Sequence, residues 1–488
     1  MITATEEHRV VEAVPKQLLI GGEWRDADGG GTLTVEDPST GEPLCEVADG
    51  SAGDALAALG AAADAQQEWA ARAPRERGEI LRRSFEALND RAEELAVLMT
   101  LEMGKPLAES RAEVIYAAEF FRWFSEEAVR TDGRYTVSAD GTHRTIVMTR
   151  PVGPCLLITP WNFPMAMGTR KIGPAVAAGC TMVMKPARYT PLSMLALARI
   201  MEEAGLPAGV LNVLTTRSSG RTMAPIIEDP RCRKLSFTGS TEIGAKLMEQ
   251  ASKNLLRLSM ELGGNAPFLV FEDADMDAAV EGAMIAKLRN MGESCVAANR
   301  FHVHESVAEE FAARLAERIG AVKVGRGLDE GVGVGPLVDE DQRQIVTDLV
   351  DDAVAKGARC LVGGSRMDGP GYFYAPTVLD RVPKDARLLK EEIFGPVAPI
   401  TTFSTDQEAV DAANDTEYGL VAYVFTSDLR RGFRVVESLE TGMVGLNRGL
   451  VSNPAAPFGG MKHSGFGREG GIEGIQEYLE VKHVAMAV

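Results

Sequence analysis

Cysteine and histidine are scarce in this chain, six of each among 488 residues. The cysteines, at 45, 155, 180, 232, 295 and 360, form no CxxC pair and repeat no spacing, which is the usage of a reducing compartment. His302 and His304 fall one residue apart on an expected strand and share a face. No cysteine or carboxylate stands beside them at ligand spacing, so no metal site is expected. No serine sits in GxSxG and no histidine has an evident place in a triad, which removes a serine hydrolase. No run approaches the roughly 20 apolar residues that span a bilayer. The N-terminal stretch through Gly22 carries acidic residues and no unbroken apolar core, so a secretory leader is not expected and a cytoplasmic protein is. Basic residues are short as well: 51 Lys and Arg against 70 Asp and Glu leave a formal charge of −19. Such a surface repels phosphate backbones and anionic head groups, and no basic stripe offsets it, so neither a nucleic-acid nor a membrane partner is expected.

What is present is ample apolar material, 45% of the residues, in a length suited to two or three domains. After a short polar tail, Leu18 to Trp24 reads as a strand turning at Gly21 and Gly22. From Gly53 to about Arg130, Ile80, Leu81, Phe85, Leu88, Leu95 and Met99 recur at the spacing of amphipathic helices. Short apolar runs then alternate with helical ones, the pattern of a parallel sheet with crossover helices. Strands are expected at Cys155–Thr159, Thr181–Met184, Val210–Leu214 and Lys234–Phe237. A helix opens at Ser240, and others follow near Asp275–Arg289, Val307–Ile319 and Gln342–Ala355. Two α/β domains are implied, one for a cofactor and one for the reaction.

Two glycine motifs are near misses. Gly465-Phe466-Gly467-Arg468-Glu469-Gly470 satisfies GxGxxG, but Phe458 to Ser464 before it cannot be a buried strand, so it reads as a loop and not as a dinucleotide fingerprint. Gly239 to Lys246 has two glycines at P-loop spacing without the following lysine, which removes a triphosphate site. What remains is a strand, a Gly-Ser-Thr turn and a helix with Ser240 or Thr241 as cap: an ordinary βα turn, or a helix start facing a pyrophosphate. Three polar clusters stand where α/β elements end: Thr159-Pro160-Trp161-Asn162-Phe163-Pro164, Glu261-Leu262-Gly263-Gly264-Asn265 and Met291-Gly292-Glu293-Ser294-Cys295. A cysteine, a carboxylate and an amide so placed suggest a nucleophile, a base and an oxyanion donor. Cys155 and Cys180 lie in or beside strands and read as small buried residues.

These clusters, with Lys185-Pro186-Ala187, Phe237-Thr238-Gly239-Ser240, Glu392-Ile393-Phe394-Gly395-Pro396 and Pro457-Phe458-Gly459-Gly460, resemble the aldehyde dehydrogenase superfamily, in order along nearly the whole chain. Glu261 and Cys295 stand 34 residues apart, as they do in that family. Asn162-Phe163-Pro164, Thr169-Arg170-Lys171, Arg289-Asn290 and Gln476 to Lys482 are most similar to the succinate-semialdehyde dehydrogenases. The resemblance implies an α/β fold: a Rossmann-type NAD(P)-binding domain over 1–129 and 151–262, an α/β catalytic domain over 263–463, and a small β oligomerisation element from 130–150 and 464–488. A homodimer or homotetramer is implied, with Tyr478, Leu479, Val481, Val484 and Met486 suited to pair with another chain's sheet edge.

By the same resemblance Cys295 attacks the aldehyde carbon, Asn162 and the Cys295 N–H hold the oxyanion, and Glu261 activates water. Lys171 and Glu469 fall near a proton route to Glu261. Thr159, Pro160, Trp161, Lys185, Ala187, Arg188, Gly239, Ser240, Leu262, Glu392 and Phe394 fall at cofactor positions. Arg188 stands where many NAD-preferring relatives carry Glu, so NADP is favoured and NAD possible. Arg170, Arg289 and Ser452 match the receptors of a distal carboxylate, and arginine's planar fork suits that task. Asn453 and Arg448 depart from the pattern beside Ser452, leaving glutarate semialdehyde or a general aliphatic aldehyde as alternatives. Ala297 replaces a second cysteine found in some relatives, which removes a local disulfide switch. Glu293 replaces the commoner Gln, and would raise the Cys295 pKa if the two approach. The rival classes are a CoA-acylating enzyme, which would not need Glu261, and a cysteine esterase or silent binding protein on the same fold.

Overall fold

The computed structural model describes residues 2–487. Five short strands, buried along their length or nearly so, form the parallel core of the first sheet, in the spatial order Leu211–Val213, Met182–Lys185, Cys155–Ile158, Lys234–Thr238, Arg257–Glu261. Aliphatic runs covered on both faces are what a parallel sheet between helix layers requires. Counted along the chain this order is 3-2-1-4-5, the Rossmann arrangement. The order reverses between Cys155–Ile158 and Lys234–Thr238, which pair directly. A crevice therefore opens beyond their carboxyl ends, where Thr159 to Asn162 and Gly239-Ser240 leave the sheet.

A hairpin of Leu18–Ile20 and Glu23–Arg25 extends one edge of this sheet, and Gly465–Phe466 extends the other, antiparallel to Arg257–Glu261. The second sheet has seven strands, from Arg359–Val362 through Thr377–Asp380, Val397–Phe403, Ala298–His304, Ala266–Val270 and Val421–Phe425 to Met443–Leu446. Only the first pairs antiparallel. The helices expected between these strands occur at Met276–Leu288, Ala308–Gly320 and Glu340–Ala355.

One expectation changes. The polar N-terminus holds a helix, Ala4–Glu12, started by a capping box between Thr3 and Glu6 and seated by buried Val10 and Val11. The tail strand Leu479–Ala487 pairs along its length with His143–Pro151 of its own chain. This makes a three-stranded antiparallel sheet with Arg134–Val137, in which the tail is an edge.

The helix Ala166–Ala178 runs under the crevice, and every one of its residues is buried. Arg170 and Lys171 thus enter the core as charges, and buried charges persist only when paired.

Candidate active site

Glu261 stands at the end of an unusual stripe. Where Lys234–Thr238 pairs with Arg257–Glu261, one face reads Lys234 beside Arg257, Ser236 beside Ser259 and Thr238 beside Glu261. A polar face inside a parallel sheet is costly unless satisfied. Here Lys171 Nζ bonds Ser236 Oγ at 3.0 Å, Lys234 Nζ bonds Ser259 Oγ, and Ser259 Oγ donates to Glu477 at 2.9 Å. Glu469 meets both helix charges, with Lys171 Nζ at 2.5 Å and Arg170 Nε at 2.8 Å. Although burial pushes Glu469 up, those two cations outweigh it and hold its carboxyl below the ordinary value.

Both Glu261 oxygens are buried without a protein partner. Burial, and next the charge of Glu469, hold its carboxyl well above the usual range against the pull of Arg170 and Lys171. A carboxylate that gains from taking up a proton is suited to be a general base.

The GxGxxG segment, expected as a loop, is the strand Gly465–Phe466 followed by a turn that brings Glu469 back opposite Phe458. Its glycines answer to close packing: Gly465 has φ 99°, and a Cβ there would lie 2.0 Å from the Met260 carbonyl. They let this segment run directly against Met260 and Glu261.

Cys295 follows a sharp reversal. Asn290 and Met291, both at φ 56°, and Gly292 at 77° are successive left-handed residues, a conformation that costs energy outside glycine and must be held by its surroundings. It is held by hydrogen bonds from Asn290 Nδ2 to the carbonyls of Asn162 (3.0 Å) and Glu293 (2.9 Å), and from Asn162 Nδ2 to Glu293 O at 3.0 Å. One Asn162 N–H remains free for a ligand, since an amide nitrogen carries two. Burial pushes the Cys295 thiol up to about 12 despite the opposing charge of Arg170. The carboxylates that add to this are Glu392, Glu261 and Glu469. Glu293 is not among them, because its buried carboxyl turns away and accepts from Val338 N at 3.0 Å.

A cavity of about 270 Å³ holds Cys295, Glu261 and Asn162 together with Pro160, Trp161, Gly239, Ser240, Leu262, Glu392 and Phe394. Thr159, just beyond, buries a hydroxyl with no partner. Ser240 starts the helix Thr241–Ser252 without capping it, so the first amides there stay available to an anion. Phe394 sits at φ 48° and meets Trp161 edge-on, 5.4 Å between centroids. Glu392 accepts from Gly264 N at 3.1 Å, and burial raises its carboxyl to about 7. Lys185 Nζ bonds Ser219 Oγ at 2.9 Å, next to buried Ala187. Burial and then the charge of Arg188 lower its ammonium to about 8. Arg188 is exposed, lies 4.5 Å over the Tyr189 ring and donates to its hydroxyl. Unpartnered polar atoms, an uncapped helix start and two neighbouring cations at a Rossmann switch point fit a dinucleotide.

On the other side of Cys295, Arg170, Arg289 and Ser452 line a small cavity with Tyr116, Phe163 and Phe458. The two arginines are unequal. Arg170 is committed to Glu469 and lies 3.9 Å over the Phe458 ring. Arg289 rests 5.0 Å over Phe163; its charge pulls down the Glu109 carboxyl, which burial raises, but among the described residues it forms no ion pair. The guanidinium open to a new carboxylate is therefore Arg289.

Sequence reasoning passed over Lys105, Glu113 and Gln342. Gln342 Nε2 donates to the carbonyls of Ile393 (3.2 Å) and Phe394 (2.9 Å), bracing the strained Phe394. Nothing in the local pattern sets these apart from other helix charges and amides, apart from the helix break at Gly104-Lys105-Pro106.

Comparison with known proteins agrees with this geometry. Residues 24–484 match the Aldehyde dehydrogenase family, and the chain belongs to that family. It is 58% identical over 444 residues to a succinate-semialdehyde dehydrogenase of Paenarthrobacter nicotinovorans, covering 91% of this chain and 99% of that one. Identity to a glutarate-semialdehyde dehydrogenase of Pseudomonas putida is 50%, covering 97% and 98%. Among solved structures, an NADP-dependent enzyme of E. coli superposes with a TM-score of 0.96 at 49% identity, covering 97% and 98%.

Proposed function

We propose that this aldehyde dehydrogenase oxidises succinate semialdehyde to succinate, with NADP preferred over NAD. The observation that carries the reading is the position of Cys295 between two unlike surroundings, an unpartnered base with a dinucleotide-shaped crevice on one side and the unpaired Arg289 on the other.

Arg289 and Ser452 receive the substrate carboxylate and set its aldehyde carbon at Cys295. The thiol of Cys295 is protonated at neutral pH, so it first yields its proton to Glu261 through water, and the thiolate then attacks. The carbonyl oxygen becomes an oxyanion, met by the free Asn162 N–H and the Cys295 N–H. A dinucleotide held by Ser240, Glu392 and Phe394 would supply the two-electron acceptor for the hydride, with the acyl group left as a thioester on Cys295. Glu261, having passed its first proton on to bulk water, accepts a proton from the attacking water as the water oxygen bonds the acyl carbon. The carbon–sulfur bond breaks, succinate departs, and the Cys295 thiolate is restored. Lys171 and Glu469 adjust the basicity of Glu261 throughout.

Lys185 beside Arg188 forms a doubly cationic spot, which supports the 2′-phosphate preference. We further assign the first sheet to cofactor binding, the second to catalysis, and the edge Leu479–Ala487 to assembly as a dimer or tetramer. An absorbance assay with NADP, succinate semialdehyde and no CoA should give reduced cofactor, abolished in Cys295→Ala; glutarate semialdehyde is the substrate to compare. A wild type that reduces no cofactor would overturn the reading.

A further inference from the structure

Lys105 and Glu113 are buried charges that the proposed chemistry leaves unused. Each side chain is 1% exposed, and Lys105 Nζ lies 2.5 Å from Glu113 Oε2. Gly104 at φ 86° ends the helix Ala92–Met103, and Lys105 then enters the core. Its ammonium also donates to the Asn162 carbonyl at 2.7 Å. Glu113 Oε1 accepts from Met165 N (3.0 Å) and Ala166 N (3.1 Å), where the helix Ala166–Ala178 begins. The pair thus grips the chain at Asn162 and again three residues on, while Asn290 binds the same Asn162 carbonyl.

A buried ion pair is a poor route to stability, because desolvation offsets the attraction. Its placement is better explained by what it holds. With its carbonyl fixed by Lys105 and Asn290, and one side-chain N–H fixed by Glu293, Asn162 has little freedom left in aiming the other N–H. Neither charge lines the cavities that contain Cys295, and Lys105 is not among the groups that shift the Cys295 thiol. The direct contact that Lys105 makes with the candidate catalytic residues is the one to the Asn162 carbonyl.

We propose that Lys105 is a positioning residue, anchored by Glu113, that holds the Asn162 amide at the place where the oxyanion forms. This deepens the aldehyde-oxidising reading and rests on it. Misplacing a donor by about 1 Å can cost about 100-fold in rate, and losing an oxyanion donor altogether costs roughly 100- to 1,000-fold.

The test is a double-mutant cycle between this pair and Asn162. Lys105→Met combined with Glu113→Gln removes both charges together, so no unpaired charge is left buried. Lys105→Met and Glu113→Gln are also made singly, and each is read with Asn162 and with Asn162→Ala. We expect Lys105→Met/Glu113→Gln to lower kcat/KM by about 10- to 100-fold beside Asn162 but by less than about threefold beside Asn162→Ala. If that variant does not fold, Glu113→Gln, which keeps an acceptor for Met165 and Ala166, is read in its place and should show the same coupling. The rate at which iodoacetamide alkylates Cys295 without cofactor is the second readout. Alkylation builds no oxyanion, so it should stay within about twofold of wild type while acyl chemistry falls. Equal losses in both Asn162 backgrounds, or alkylation falling in step with turnover, would overturn the proposal alone. A wild type inactive toward every aldehyde would instead remove the parent reading and this one with it.

Discussion

Glu469 bridges Arg170 and Lys171, neighbours in sequence on one buried helix, with its two oxygens 2.8 and 2.5 Å from their nitrogens. Its charge is also, after burial, the largest influence raising Glu261. A residue from the far end of the chain therefore adds to burial in raising the proton affinity of Glu261.

Glu469→Gln should move the acidic limb of the kcat–pH profile to lower pH. Its charge raises Glu261, and removing it also leaves Arg170 and Lys171 to pull Glu261 down uncompensated. The same change relieves Cys295, which Glu469 also raises. Wild type should lose activity as pH falls through the raised Glu261 value, and the variant should keep activity further into acid. A limb that stays put or moves upward would contradict this.

Glu293→Gln should stabilise the protein above the ordinary carboxyl range. Burial holds Glu293 well above 4.5. A carboxyl raised in the folded state favours folding while protonated, and that contribution is lost as pH rises through the folded value. Each pH unit between the unfolded and folded values then costs up to about 1.4 kcal/mol. Melting temperatures measured from pH 5 to 8 should fall less steeply for Glu293→Gln; parallel curves would refute the assignment.

Arg289→Ala should raise KM for succinate semialdehyde roughly 10- to 100-fold, the worth of a charge-assisted hydrogen bond of about 1.5–3 kcal/mol. KM for an uncharged aldehyde should barely move. Arg170→Ala should instead lower kcat for both, because its partner is Glu469. Equal KM effects of Arg289→Ala on the two aldehydes would reject the carboxylate receptor.

Arg188→Glu should reverse the cofactor preference. Opposite unit charges 4 Å apart attract by roughly 4 kcal/mol at an effective dielectric near 20. Exposure of Arg188 screens this, so the ratio of kcat/KM for NADP over NAD should drop by at least about tenfold, or about 1.4 kcal/mol. A wild type that strongly prefers NAD would defeat the premise.

Much of the frame was legible in sequence because alternating apolar runs leave few options: the strands near Cys155, Thr181, Val210 and Lys234 fall within a residue or two of their places. Spatial order was not legible, since nothing in those runs says that the first pairs with the fourth. Cys295, Glu261 and Asn162 were visible as polar residues where strands and helices end, and the structure brings them to one cavity. The inequality of Arg170 and Arg289 was hidden, because it depends on Glu469, 299 residues after Arg170. Lys105 was hidden for the same reason: its contact with Asn162 joins a break between two helices to a loop 57 residues further on. The N-terminal helix, by contrast, was missed although Thr3 and Glu6 gave the signal of a capping box.

The first sheet takes its edge strands from opposite ends of the polypeptide, Glu23–Arg25 on one side and Gly465–Phe466 on the other. Its interior charges, Arg170 and Lys171, likewise find their counter-ion only in the closing segment. The first sheet is consequently not divisible from the remainder. A fragment ending at Leu262 would keep the Rossmann strand order but lose Glu469, the carboxylate that pairs with both buried cations.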